Sequence, residues 1–174
     1  LYGDYGLNVF NSRSLAYLKD KELESACVSF ELRFAQIRDL KKVLRAEAIV
    51  YGRLPLMITE NCLVQNETGC RLDRQGLCVP EDGPCRCGQP NVLVDRTGAA
   101  FPLLPAYGHR TEIQNSKPLY LADRPEHRRL GLAYARLRFT TETAEECVSV
   151  VQNYLDAAPA AGDFTRGLYE RGVE

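Results

Sequence analysis

The first sixty residues alternate between short apolar runs and stretches whose apolar residues recur every three or four positions. Apolar runs at 7–11, 26–32 and 48–57 predict strands, and helical spacing at 12–22 and 34–45 predicts the helices between them. Strands that alternate with helices form parallel βαβ units with right-handed crossovers. The pattern therefore predicts a βαβαβ arrangement for this part of the chain.

The pattern changes after Glu60. From there to about residue 88 the sequence is rich in Gly, Asn, Asp and Cys and has no sustained periodicity, which predicts a loop. The apolar runs 92–94 and 100–104 flank a turn that contains Gly98, and this combination predicts a β-hairpin.

Short strands are also predicted at 118–121 and 133–139, the second with one solvated face. Thr143 and Glu146 have the spacing of a capping box, and an apolar stripe at helical spacing follows them. A helix is therefore predicted over 143–157. The remaining tail has mixed apolar and basic character and either docks as an extended segment or stays loose.

Composition restricts the function only weakly. The chain has 174 residues, 45% of them hydrophobic, so it can bury an ordinary core in one domain or slightly more. Its net charge of −1 supplies no global field that demands a nucleic acid or an anionic membrane. It has no run long enough for a membrane span and no signal peptide, which predicts a cytoplasmic protein without a membrane partner. Since it begins without Met, we expect an excised part of a longer polypeptide, whose remainder is its natural partner.

Five of the seven cysteines fall between Cys62 and Cys87, directly behind the third apolar run. Thiols gathered where a strand ends are typical of a metal site, an iron–sulfur cluster or disulfides. The reducing cytoplasm disfavours disulfides. The spacing is not the paired C-x-x-C pattern of a zinc ribbon, and it does not separate zinc from a cluster. Cys78 stands alone in an apparent insertion and is the least favoured ligand, whereas Cys27 and Cys147 are predicted core residues.

Other candidate residues each have a plain structural alternative. Glu31 and Arg53 lie at or near predicted strand ends, where they either bind an anionic substrate or form an ion pair. His109 is a candidate nitrogen ligand, and His127 is predicted to be solvated because it lies in a charge run. The sequence has no H-E-x-x-H motif. A basic cluster either contacts RNA phosphates or is simply solvated; it comprises Arg124, Arg128, Arg129, Arg136 and Arg138.

Several short motifs stand in one order along nearly the whole chain. They are Gly3-Asp4-Tyr5-Gly6-Leu7-Asn8-Val9-Phe10-Asn11-Ser12, Ser29-Phe30-Glu31-Leu32, Glu47-Ala48-Ile49-Val50-Tyr51-Gly52-Arg53-Leu54-Pro55-Leu56-Met57, Glu60-Asn61-Cys62, Asp95-Arg96-Thr97-Gly98 with Phe101-Pro102, and Asn115-Ser116-Lys117-Pro118-Leu119. Each motif is weak by itself, but the ordered set resembles the U32 peptidase, or collagenase-like, family.

The resemblance implies an α/β fold with a partial (β/α) barrel at 1–60, a Cys-rich metal or cluster loop at 61–90, and a small antiparallel β-rich portion with a helix at 91–174. Members were named as peptidases. Better understood relatives resemble factors for oxygen-independent hydroxylation of RNA or a ubiquinone precursor, with a four-cysteine iron–sulfur cluster and prephenate as the implied oxygen source. In a barrel the loops after the strands build the site, which favours catalytic roles for Glu31, Arg53 and Cys62.

The chain departs from the family pattern at two cysteine positions. Pro55 stands where the family has a Cys seven residues before the one that matches Cys62, and His109 stands at a later family Cys. Only Cys62 maps directly. The other ligands are inferred from their positions and are Cys70, Cys85 and Cys87, with His109 as a nitrogen ligand.

Three functions follow from these observations. The first is a metal- or iron–sulfur-dependent factor that hydroxylates RNA or a similar acceptor, with RNA or a small anionic substrate as partner. The second is a collagenase-like peptidase, as the family's description states. The third is a non-catalytic zinc-binding module of a larger protein.

Overall fold

The computed structural model describes residues 1–73, 78–79 and 85–171 of the chain, and these divide into two compact units. Unit 1 comprises Leu1–Gly52 with Pro118–Glu174, and unit 2 comprises Arg53–Lys117. The predicted segments 1–60, 61–90 and 91–174 run across this division.

Strands and helices overlap the ranges predicted at 12–22, 26–32, 34–45, 133–139 and 143–157, with different ends. The strand predicted at 7–11 is wrong, because Tyr5–Leu7 forms a 3₁₀-helix and Val9 makes an isolated bridge to Val28. The loop predicted up to residue 88 contains a helix and two short strands, and Arg110–Gln114 is a further strand that was not predicted. The strands are β1 (Tyr2–Gly3), β2 (Ser25–Cys27), β3 (Arg45–Gly52), β4 (Pro55–Thr59), β5 (Arg71–Leu72), β6 (Cys78–Val79), β7 (Asn91–Val94), β8 (Ala100–Ala106), β9 (Arg110–Gln114), β10 (Leu119–Tyr120) and β11 (Tyr134–Leu137). The α-helices are α1 (Ser12–Asp20), α2 (Phe34–Asp39), α3 (Leu63–Thr68) and α4 (Ala144–Asp156). Short 3₁₀-helices cover Tyr5–Leu7, Arg86–Gly88 and Pro125–Arg129.

Unit 1 is built on a five-stranded sheet in which β3 is the central strand. β1 pairs with β2 and β2 pairs with β3, both in parallel, and β3 also pairs in parallel with β11 and antiparallel with β10. Glu47 pairs with residues of both β2 and β11, and Tyr51 pairs with residues of both β10 and β11. β2 and β10 therefore share one edge of β3, and β11 occupies the other.

The predicted α/β class with parallel strands is confirmed. The described sheets do not close into a barrel, so the partial barrel remains a prediction. The Arg136 guanidinium bonds both Glu47 on β3 and Asp4, the residue after β1, across the width of the sheet. Since β1 and β11 lie on opposite sides of β3, these contacts link the two sides of the sheet.

Local capping explains where the first two helices begin and end. The Asn11 side chain accepts hydrogen bonds from the backbone N–H groups of Arg13 and Ser14, which starts α1. α2 ends earlier than predicted because Leu40 adopts an extended conformation. The Lys42 ammonium then donates to backbone carbonyls of the last turn, including that of Ile37, and so takes the place of the missing helical donors.

The single strand predicted over 48–57 is wrong, because the run forms two strands in two different sheets. β3 ends at Gly52, whose φ of 119° lies outside the range that residues with a Cβ favour. A Cβ at this position would also collide with the backbone carbonyl oxygen of Arg138. The chain then enters β4 at Pro55, so the long apolar run hides a sharp change of direction.

Substitution of Gly52 should therefore destabilise unit 1 severely. We expect Gly52→Ala to lower the free energy of unfolding by more than about 3 kcal/mol, since it adds a steric collision to an unfavourable φ. Gly162→Ala is the matched control, because Gly162 has a φ of 78° but no atom within 4 Å of an added Cβ. It should cost only about 1 kcal/mol. Equal losses in urea unfolding would show that the collision is relieved at little cost.

Two tyrosine hydroxyls donate hydrogen bonds to backbone carbonyls of β3. The Tyr169 hydroxyl donates to the carbonyl of Ile49 at 2.6 Å, and the Tyr154 hydroxyl of α4 donates to the carbonyl of Val50. The Tyr154 oxygen also accepts from the backbone N–H of Leu121 at 2.8 Å. Tyr169 is 1% exposed and bonds β3, so the C-terminal tail packs within unit 1 through at least this residue.

The predicted exposure of His127 is wrong. The charge run forms the 3₁₀-helix Pro125–Arg129, in which one turn directs His127 and Leu130 inward and leaves Arg128 and Arg129 exposed. His127 is only 7% exposed, bonds the carbonyl of Arg124 through Nδ1 and packs with its ring centroid 6.2 Å from that of Tyr154. Burial, with a smaller effect from the Arg128 charge, lowers the pKa of His127 below its ordinary value.

A histidine with a lowered pKa stabilises the fold only while it is neutral. The unfolded chain binds the proton more readily, so unit 1 should lose stability as the pH falls from about 7 towards 5. His127→Gln should reduce this pH dependence, whereas His109→Gln in unit 2 should preserve it. Urea unfolding at several pH values measures the effect, and an unchanged pH dependence in His127→Gln would contradict it.

Unit 2 contains a four-stranded antiparallel sheet in the order β4-β9-β8-β7 and a two-stranded sheet of β5 and β6. The predicted hairpin is confirmed as β7 and β8, with Asp95 accepting from the backbone N–H groups of Thr97 and Ala99 in the turn. None of the helices in the described ranges combines the length and apolar character needed to cross a bilayer.

Candidate metal centre

Short structural elements of unit 2 carry the clustered cysteines. Cys62 is the N-cap residue of α3, and the next backbone N–H, that of Leu63, donates to the Thr111 hydroxyl of β9 at 3.0 Å. α3 ends at Gly69, whose φ of 70° is left-handed, and Cys70 follows directly. The helix thus separates two thiols while its ends fix the backbone at both.

The other three thiols come from the segment after α3. Cys78 is the first residue of β6, which pairs antiparallel with β5 and so returns the chain towards Cys70. Cys85 and Cys87 flank the start of the 3₁₀-helix Arg86–Gly88. The Asn91 side-chain amide donates to the carbonyls of Arg86 and Gln89, which holds this turn at the beginning of β7.

Four of these thiols form a continuous series of sulfur contacts. The Sγ–Sγ distances are 2.9 Å from Cys70 to Cys78, 3.2 Å from Cys78 to Cys85, and 2.8 Å from Cys85 to Cys87. The Sγ atoms of Cys70, Cys78 and Cys85 all lie within 4.8 Å of one another. None of these cysteines is in a disulfide. We call Cys62, Cys70, Cys78, Cys85 and Cys87 the thiol group.

Hydrogen bonds within the thiol group separate the pKa values of its members. A hydrogen bond from the Cys87 thiol, followed by one from its backbone, lowers the pKa of Cys85 to about 7. The same thiol contact raises the pKa of Cys87 to about 11, and burial and the charges of Cys85, Cys62 and Cys70 act in the same direction. Hydrogen bonds to Cys70 and Cys85 raise the pKa of Cys78. Of Cys78, Cys85 and Cys87, Cys85 is therefore the one that most readily supplies a thiolate.

The thiol group fits a soft metal by its chemistry, since thiolates are the usual ligands of structural zinc and of iron–sulfur clusters. Four sulfurs bound at about 2.3 Å around one tetrahedral ion lie about 3.8 Å apart. The contacts of 2.8–3.2 Å are somewhat shorter, and the sulfurs of Cys70, Cys78 and Cys85 all lie within 4.8 Å of one another, so these three could bind one ion after small shifts. A fourth ligand would have to move into the same group. In a cubane cluster each thiolate binds a different iron, which requires a wider separation.

The structure brings together several of the ligands inferred from the sequence. Cys70, Cys85 and Cys87 take part in the sulfur contacts, and Cys62 is near enough for its charge to act on Cys87. His109 lies elsewhere in unit 2, in the turn between β8 and β9, with a left-handed φ of 58°. Within the described ranges, the compact set of candidate ligand atoms consists of Cys70, Cys78 and Cys85. It does not include Cys62, Cys87 or His109.

Cys78 is the ligand candidate that sequence reasoning set aside. It contacts both Cys70 and Cys85, so it lies inside the series of sulfur contacts. The apolar residues beside it, Leu77 before and Val79 after, were the only sequence signal of a short strand that could return towards Cys70. Without the pairing of β5 with β6, its spacing from the other cysteines carried no such information.

The proposed catalytic residues outside the thiol group lie in different units. Glu31 is half-buried in unit 1, in the turn after β2, where its backbone N–H donates to the Ser29 hydroxyl. Arg53 is half-buried in unit 2, and its guanidinium donates to the backbone carbonyls of Asn115, at 3.0 Å, and Ser116. Arg53 therefore has a clear structural task in joining the two ends of unit 2, and its catalytic role stays a prediction.

Much of the predicted basic cluster is engaged within unit 1. Arg124 pairs with Glu170 at 2.9 Å, and Arg128 donates to the carbonyl of Tyr154 at 2.8 Å. Arg136 bonds Asp4 and Glu47, as described above. Arg138 lies over the Tyr5 ring, with its guanidinium carbon 5.3 Å from the ring centroid. These contacts give four of the five arginines a structural role, and contact of the cluster with RNA stays a prediction.

The fold and the thiol group together define an α/β protein that carries a thiol-rich candidate metal centre in a segment between two parts of its parallel sheet. The model of Peptidase family U32 matches residues 4–96, which is more than half of the chain. The chain therefore belongs to the U32 family. No curated protein and no solved structure shows significant similarity to it.

Loss of Cys78 should weaken metal binding strongly. We expect Cys78→Ser to lower zinc affinity by more than about tenfold, since even loss of an outer-shell partner costs 10–100-fold. Cys147→Ser is the matched control, because Cys147 is a half-buried thiol of α4 in unit 1. Competition with a chromophoric chelator measures both variants. Equal affinities in Cys78→Ser and the unmodified chain would show that the other four thiols suffice and that the centre does not need Cys78.

Proposed function

We propose that this chain is the metal-binding part of a U32-family protein, which hydroxylates RNA or a similar acceptor without molecular oxygen. The thiol group is the observation that carries the proposal. It brings four thiols into a continuous series of contacts, three of them close enough together to hold one metal ion, which supports a metal site. Family membership supports the association of this set with the chemistry that the family resemblance implies.

The residues of the chain divide the work in this proposal. Cys62, Cys70, Cys78, Cys85 and Cys87 supply the candidate ligands, and the low pKa of Cys85 provides a thiolate near neutral pH. Arg53 orders the backbone at the entry to unit 2 and is a positive group for an anionic oxygen donor. A bound iron–sulfur cluster would supply the redox chemistry of the hydroxylation, which no side chain provides by itself.

A second candidate is favoured by the closeness of the sulfur atoms. Contacts of 2.8–3.2 Å suit one tetrahedral ion better than a cubane cluster. Unit 2 would then be a structural zinc module, and the chemistry would lie elsewhere in the full polypeptide. Bound zinc contributes directly to the folding of such modules, so its removal should unfold unit 2.

One set of measurements separates the two candidates. We expect chain purified without oxygen to contain iron and acid-labile sulfide, with the visible absorption of a cluster. Cys62→Ser should lose both, whereas Cys147→Ser should retain them. Zinc in a ratio of one per chain, without sulfide, would establish the structural module instead. Protein that binds neither metal under these conditions would refute a metal-dependent function for this chain.

The hydroxylation itself requires a separate assay. We expect the cluster-loaded protein, incubated with RNA and prephenate in the absence of oxygen, to add one oxygen atom to a pyrimidine, as measured by nucleoside mass spectrometry. Since the activity belongs to the full polypeptide, the assay uses the full-length parent with and without the Cys62→Ser change. A cluster-loaded parent that leaves RNA and small aromatic acceptors unmodified would overturn this part of the proposal.

A further inference from the structure

The thiol group contains one sulfur more than a metal centre of its kind requires. Structural zinc and cubane clusters each take four protein ligands. The group has five members, all of them free cysteines: Cys62, Cys70, Cys78, Cys85 and Cys87. A spare thiol beside four others gives the site a chemistry of its own, because two neighbouring thiols can join to each other instead of to a metal.

Cys70 and Cys78 are the pair best placed to join. Their Sγ atoms are 2.9 Å apart, and the sulfurs of a disulfide are separated by about 2.0 Å. The antiparallel pairing of β5 with β6 holds the two residues near each other although eight positions separate them. Cys85 and Cys87 are as close, at 2.8 Å, but only one residue lies between them. A ring that small departs from relaxed disulfide geometry.

We propose that Cys70 and Cys78 form a reversible disulfide, and that its formation releases the metal from the thiol group. The release rests on the metal site proposed above, whereas the disulfide does not. Each of the two sulfurs is lost as a ligand when it is oxidised. The three remaining thiols then fall short of the four that the centre needs.

Exposure assigns different roles to the two thiols. Cys78 is half-buried, whereas Cys70 is only 6% exposed. Of these two thiols, a small oxidant therefore reaches Cys78 more easily than Cys70, and Cys70 acts as the resolving thiol. Because the pKa of Cys78 is raised, only a small fraction of it is thiolate and this first step is slow. Redox-sensitive cysteines commonly combine an accessible thiol with a neighbouring partner of this kind.

The reaction is balanced with a hydroperoxide as the oxidant. The Cys78 thiolate attacks one peroxide oxygen, the O–O bond breaks, and a sulfenic acid and water form after proton uptake. The Cys70 thiolate then attacks the Cys78 sulfur, the S–O bond breaks, and a second water leaves. Two thiols lose two electrons and two protons, which reduce one hydrogen peroxide to two waters. A dithiol reductant reverses the reaction by thiol–disulfide exchange.

The positions of arginine make this disulfide easy to detect. Trypsin cleaves after Arg53, Arg71, Arg74, Arg86 and Arg96, which places Cys62 and Cys70 in the peptide 54–71, Cys78 and Cys85 in 75–86, and Cys87 in 87–96. Hydrogen peroxide should link 54–71 to 75–86 and leave 87–96 unlinked. A link between 75–86 and 87–96 in place of the expected one would assign the disulfide to Cys87 and overturn the proposal.

Single variants identify the linked residues within each peptide. Cys62→Ser and Cys85→Ser should retain the link, because they preserve the Cys70 and Cys78 pair. Cys70→Ser and Cys78→Ser should lose it at the same peroxide concentration, and Cys87→Ser should retain it. Persistence of the link in Cys78→Ser, or conversion of Cys78 to sulfinic acid without a link, would refute the assignment.

The same treatment of zinc-loaded and metal-free protein separates this proposal from the function proposed above. We expect one zinc ion released for each link formed, measured with a metallochromic dye, and zinc binding restored by dithiothreitol. A link in protein that never binds metal would sustain the disulfide and refute the metal site. Zinc that stays bound at a peroxide concentration that links the metal-free protein would refute metal release.

Discussion

Every backbone group of β3 needs a hydrogen-bonding partner, because all but the first of its residues are buried. β2 reaches only the first part of the strand, and β10 reaches only its end. The Tyr154 hydroxyl of α4 donates to the carbonyl of Val50, and the Tyr169 hydroxyl of the C-terminal tail donates to the carbonyl of Ile49. β3, which precedes unit 2 in the chain, therefore takes several of its hydrogen-bonding partners from segments that follow unit 2.

The helices α1, α2 and α4 and the longer part of β3 could be predicted because they depend on local periodicity, whereas α3, β5, β6 and β9 were not predicted. The end of β3 could not be predicted, because the apolar run continues through Gly52. The strand ends there, where the backbone of Arg138 approaches too closely for a side chain, and this contact leaves no mark on the hydrophobic pattern. Gly52 and Pro55 within that run were the available signals. His127 was missed for a related reason, since its neighbours in sequence are charged while one 3₁₀ turn decides which of them faces inward.

The candidate site was predictable as a region but not as an arrangement. Composition alone places five thiols within one segment, and the structure brings four of them into direct contact. Which thiols meet depends on the pairing of two very short strands and on a left-handed Gly69 that ends α3. Neither has a clear signature in the sequence. A substrate-binding role for Arg53 was predicted from its charge. In the structure its guanidinium donates to the backbone carbonyls of Asn115 and Ser116, and a cation at a strand end can satisfy such carbonyls as readily as it can bind an anion.

The antiparallel pair of Gly52 with Leu119 brings together the two points at which the chain leaves and rejoins the sheet of unit 1. With respect to the sheet, the whole segment between Gly52 and Leu119 is therefore one closed loop. The entropy of closing a loop rises only with the logarithm of its length. Residues can accordingly be gained or lost within the intervening segment, including around its cysteines, at a cost to the sheet of a fraction of a kilocalorie. A segment joined to the sheet in this way can change its set of metal-ligating residues in evolution while the sheet of unit 1 stays the same.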